Sequence, residues 1–146
     1  MKKLIICIII ILSIIILFIT VNSNRYETVG DILEDIEKDY GKIVSFLIVK
    51  DNYDETRKRE RYGVVGDDTN NFREDVSKLE IEAFNGSNME ILYPVIIHTK
   101  TEEGFAQLRL SIFNGGLKFD GKEYNFEDPD DFQEIIDRVI DEYPYE

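Results

Sequence analysis

The chain has 146 residues, 43% hydrophobic and 12% aromatic, which is enough apolar mass for one ordinary core and too much for a disordered tail. Thirty acidic residues against seventeen basic ones give a net charge of −13, which disfavours nucleic acid, whose binding wants a basic stripe. With one cysteine and one histidine, neither a disulfide framework nor a zinc site built from several His and Cys ligands is available.

Residues 4–21 form an unbroken apolar run behind Lys2 and Lys3. At about 1.5 Å per helical residue the run extends roughly 27 Å, close to the ~30 Å hydrocarbon core of a bilayer. The reading is a transmembrane anchor over residues 1–23, single pass. The flanking lysines place the N-terminus in the cytoplasm and everything after it outside the cell membrane. The competing reading is a signal peptide cleaved near Ser23, which leaves a secreted protein; the run is longer than the ~7–15 residues usual for one. Both readings export the remainder. Cys7 lies inside the run, so the exported part has no thiol, and without Lys2 and Lys3 it carries a charge of −15.

Residues 24–27 read as a tether and 28–146 as a single extracytoplasmic domain. Thr28, with Asp31 three residues on, opens a helix as a capping-box pair. Val29, Ile32, Leu33, Ile36 and Tyr40 follow at helical spacing, and Gly41 stops it. Residues 43–49 are apolar and β-branched, a strand buried on both faces. Turn chemistry at 51–54 and a charged stretch at 55–61 lead to Tyr62, Val64 and Val65, the returning strand of a long hairpin. A loop at 66–71 precedes one helical turn around 72–76.

From Ser77 the pattern is a meander. Leu79, Ile81 and Ala83 alternate with Lys78, Glu80 and Glu82. Strands at 89–100 and 105–113 follow, and Pro94 marks the first as an edge strand or a bulge. A short pair at 117–119 and 123–126 is joined by Asp120-Gly121, a favoured hairpin dipeptide. Asp128 then caps a helix with Pro129 at its first position, an apolar stripe from Phe132 to Tyr143, and Pro144 as its end. The expected fold is α+β: an N-terminal transmembrane helix, then a helix, about six antiparallel strands in a meander, and a C-terminal helix.

No catalytic, cofactor-binding or metal residues stand out. His98 has no serine or cysteine motif beside it and reads as a partly buried strand side chain. Asp67-Asp68-Thr69-Asn70-Asn71 lacks the spacing of a calcium loop, and 127–131 is a helix start. Two surface features remain as partner-binding candidates. Arg57, Lys58, Arg59 and Arg61 concentrate positive charge at a hairpin tip. Lys78, Glu80, Glu82, Gln107 and Arg109 share the polar side of the meander. Either one helix covers each face of the sheet, the favoured arrangement, or a mixed apolar and charged patch stays open for a partner.

In its succession of apolar leader, acidic α+β domain and sheet, the chain resembles membrane-anchored bacterial immunity proteins that block exported antibacterial toxins. That resemblance implies a protein-binding inhibitor, not an enzyme, whose partner is another protein, a basic toxin or an envelope component. The alternative is an accessory or sensor domain of a cell-envelope or secretion assembly.

Overall fold

Local chemistry starts and stops the three helices of the domain. A computed structural model describes residues 8–15, 26–52, 58–84 and 91–145. Helix α1 (Val29–Tyr40) begins at Thr28, whose hydroxyl accepts from the Asp31 amide while the Asp31 carboxylate accepts from the Thr28 amide. Gly41 ends it at φ 91°, a backbone conformation that favours glycine. Helix α2 (Asp68–Ser77) buries Thr69, Phe72 and Val76. Helix α3 (Pro129–Glu142) starts on an Asp128 cap with Pro129 in its first turn and buries Phe132, Ile135, Ile136 and Val139.

The strands are β1 (Lys42–Asn52), β2 (Lys58–Val65), β3 (Ile81–Phe84), β4 (Ile91–Lys100), β5 (Phe105–Phe113), β6 (Gly116–Phe119), β7 (Lys122–Phe126) and β8 (Pro144–Tyr145). They form one antiparallel sheet in the order β3-β7-β6-β5-β4-β1-β2-β8. Cross-strand partners share a face. Phe46, Ile48, Val64, Val95, Ile97, Leu110, Ile112, Leu117, Tyr124 and Phe126 all point to one side, where they join the apolar stripes of all three helices in a single core. Phe46 meets Phe72 of α2 edge-on at 4.9 Å, and Phe126 stacks on Phe132 of α3 at 4.4 Å. Helix α3 runs from there toward β2 and β8. Arg73 binds Glu37 at 2.7 Å and ties α2 to α1.

Several expectations are corrected. Against the expected transmembrane helix, no helix among the described residues is long and apolar enough to cross a membrane. Residues 8–15 are helical and exposed, a rise of about 12 Å against a core of ~30 Å; the rest of the 4–21 run lies outside the described residues. The sheet has eight strands instead of six, the last only two residues long. It is not a simple meander either, because β3 pairs with β7 and not with β4. The tight β6–β7 hairpin, with Asp120 at φ 47° and Gly121 at φ 74°, turns β7 outward, where it pairs with the earlier strand β3. Strand β4 is interior, not an edge, but its register shifts between Ile91 and Tyr93, and its ladder to β1 ends at Val95. Pro94, which has no N–H to offer, is the next residue.

The helices do not divide between the two faces. Among the described residues none packs on the second face, where Leu47 pairs with Gly63 and Ile96, Ile96 with Arg109, and Ser45 with Val65 and His98.

Candidate interaction surface

The uncovered face runs across β2, β1, β4 and β5. Its centre is apolar: Val49 is buried, Leu47, Pro94 and Ile96 are half-buried, and Val65 at the rim is 60% exposed. Cations surround that centre. Arg59 and Arg61 come from β2, Lys100 from β4 with its ammonium 5.6 Å from the Phe105 ring, and Arg109 from β5. Arg61 and Arg109 are exposed and make no ion pair among the described residues. A domain of strong negative charge therefore turns a locally positive, partly greasy face outward.

His98 lies on this face as a cross-strand link. Its Nδ1 is 2.9 Å from Ser45 Oγ and its Nε2 is 2.9 Å from Gln107 Nε2. The glutamine amide nitrogen only donates, so Nε2 accepts and the ring proton sits on Nδ1, donating to Ser45. A serine that accepts from the imidazole keeps its own proton, the reverse of what nucleophile activation needs. The trio joins β1, β4 and β5 laterally.

Beside this face the sheet is incomplete. Strand β6 pairs with β5 only at Ser111, Ile112 and Phe113. Among the described residues, 105–110 are hydrogen-bonded to β4 on one side and to no strand on the other. Where the missing strand would lie there is a notch of 360 Å³ between the β5 edge, the β6–β7 turn and α1. Its apolar lining is Ile36, Leu108, Phe119 and Tyr26; Asp35, Asp39 and Asp120 supply negative charge, with Arg109 at the rim. The Tyr26 hydroxyl donates to Asp35 Oδ2 at 2.9 Å. Partial burial, then that carboxylate partner, push the Tyr26 hydroxyl up to about 12, so it stays protonated and donating.

A second depression collects acid. Glu27, Glu80, Glu82 and Glu127 line it at the β3 edge. Hydrogen bonding to Glu80 and then its charge hold the Glu127 carboxyl above the usual carboxylate range. Among the described residues no group of His, Cys, Asp or Glu is placed to hold a metal ion.

The residues singled out from sequence do not form one site. Arg57 lies outside the described residues. Lys58, Arg59 and Arg61 belong to strand β2, paired with Asn52, Asp51 and Val49. Lys78 caps the end of α2 and binds Glu74 at 3.2 Å. Glu80 bridges to Thr28, and Glu82 sits on β3, three strands from β5, roughly 14 Å at ordinary strand spacing. Of the second group only Gln107 and Arg109 come together, both on β5 at the rim of the notch. The notch acids and the open β5 edge were missed, yet a signal was present. The turns at 114–115 and 120–121 leave β6 far shorter than β5, and a short partner cannot cover a long strand.

No protein-family model, curated protein or solved structure matches the chain.

Proposed function

We propose that the chain is an exported protein-binding domain: an immunity-type inhibitor that neutralises an exported toxin by covering it with the helix-free sheet face. The observation that carries this reading is the face itself. A half-buried apolar centre at Leu47 and Ile96, rimmed by Arg61 and Arg109, which make no ion pair among the described residues, is the composition of a contact patch with an apolar middle and a charged rim. The apolar run at 4–21 behind Lys2 and Lys3 supports export. The net charge favours fast capture of a basic partner.

The test is a survival assay. Cells expressing the full chain are challenged with the exported toxin encoded beside its gene, and the two proteins are titrated against each other. Protection and binding are expected. Val65→Asp combined with Arg109→Ala, both at exposed rim positions, weakens binding about tenfold or more, because a new anion replaces an apolar contact while a cation is lost beside it. Cells that gain no resistance to any such toxin would sink the proposal.

A further inference from the structure

Among the described residues the sheet shields its two outer edges and leaves an inner one without a neighbouring strand. At the β3 edge, residues 27–29 lie alongside: the Ile81 amide donates to Glu27 O at 2.8 Å and the Val29 amide to Leu79 O at 2.9 Å. At the other end β8 is two residues long and begins with Pro144, which cannot extend a ladder as a donor. By contrast residues 105–110 are the longest stretch of strand paired on one side alone among the described residues. That stretch contains no proline and no bulge. It is the kind of edge that recruits another strand.

The notch specifies what can add there. Side chains of an added strand alternate between the open face and the helix side. Those on the helix side enter the gap next to Leu108, whose walls are the apolar side chains Ile36 and Phe119. Asp35, Asp39 and Asp120 stand around that gap. A lysine or arginine fits both parts, its methylene stem on the apolar wall and its charged head at the carboxylates. An acidic residue at that position would face three like charges.

We infer that residues 105–110 are a strand-addition site, at which an extended segment of the partner with basic residues at alternate positions completes the sheet and sends a Lys or Arg side chain into the notch. This deepens the inhibitor reading and rests on it for the identity of the partner. The addition continues the open face by one strand, so the same partner contacts Gln107 and Arg109 from the other side.

The experiment uses the full-length protein and an extended ten-residue peptide, (Thr-Lys)5, blocked at both ends. Binding is read by anisotropy, and its location by hydrogen exchange at 105–110. Two further peptides carry N-methyl groups, one on every threonine and one on every lysine. In an extended chain alternate amides point to opposite sides, so each modification blocks one edge and leaves the charge unchanged. Strand addition with lysine inward predicts that one N-methylated peptide loses about tenfold or more and the other does not. It also predicts slowed exchange at 105–110, and a three- to tenfold loss with Asp39→Asn plus Asp120→Asn. Equal binding of both methylated peptides, or protection elsewhere, overturns it, because attraction to an acidic protein would then suffice. The inhibitor reading is judged separately by cell survival. A protected cell with no peptide binding removes strand addition alone; peptide binding with no protection removes the toxin assignment and leaves the site.

Discussion

Two buried threonines should respond in opposite directions to the same substitution. Thr99 of β4 is fully buried between Ile43 and Ala106, and its hydroxyl has no hydrogen-bond partner among the described residues. Thr69 of α2 is also buried, but its hydroxyl lies 3.3 Å from Val44 O and 3.4 Å from Val64 O and so fastens the helix to β1 and β2. An unpaired buried hydroxyl costs about 1–3 kcal/mol, whereas a made hydrogen bond contributes about 0.5–1.5 kcal/mol net. Valine keeps the branched shape in both places and replaces the hydroxyl by a methyl. Thr99→Val is therefore expected to stabilise by about 1–2 kcal/mol. Thr69→Val loses a bond that is long at both acceptors and should cost about 1 kcal/mol. Thermal denaturation monitored by far-UV circular dichroism separates the two, and for a domain of this size the unfolding midpoints should differ by roughly 6–15 °C. If Thr99→Val destabilises, or both variants move the same way, hydroxyl pairing is not what distinguishes these sites and the reasoning is refuted.

The other predictions concern the cap, a buried phenol and a crowded glycine. Asp31 has its carboxyl held below the usual range by hydrogen bonds from the Thr28 backbone and then Glu27. A depressed folded value means stability that is present above the unfolded value near 4 and is lost as pH falls through the folded one, so Asp31→Asn should flatten the acid limb of a stability–pH profile. Burial pushes the Tyr93 hydroxyl up to about 12, which stabilises the fold fully below pH ~10 and progressively less above it; Tyr93→Phe should reduce the loss seen between pH ~10 and 12 in alkaline denaturation. A Cβ on Gly116 would lie 2.5 Å from the Phe113 ring and closer still to the Tyr124 carbonyl, so Gly116→Ala should cost about 1–3 kcal/mol in urea unfolding.

Features governed by a few neighbouring residues could be read directly. Thr28 with Asp31, Asp128 with Pro129, and Asp120-Gly121 each encode their geometry within four residues, and each forms as its chemistry dictates. Strand order could not be read that way. The alternation around Ile81 shows that one side is buried but carries nothing about which strand it meets, and its partner Phe126 lies far along the chain. Helix α2 is longer than one turn although only Thr69, Phe72 and Val76 are buried, too sparse a stripe to announce ten residues. The apolar stripes of α1 and α3 require burial but do not name a face, and both went to the same one. That choice opened the other side and created the candidate surface. Arg61 and Arg109 were recognisable as unusual cations in an acidic chain; that they flank a shared apolar centre depends on pairings through β1 and β4.

The opposition between an acidic domain and a positive face is resolved by range. Beyond a Debye length of about 8–10 Å a partner senses mainly the summed charge, which is strongly negative and draws in basic molecules. At contact it meets individual groups instead. In the proposed complex Arg61 and Arg109 face the partner's carbonyl and carboxylate oxygens, while the notch presents Asp35, Asp39 and Asp120 to its cations. Overall charge thus governs encounter, and the local mixture selects among the basic proteins that arrive. A uniformly acidic face would bind any of them. On that proposal a partner must offer an oxygen-rich surface for the arginines and a basic strand for the notch side by side, a requirement that would make the interface selective.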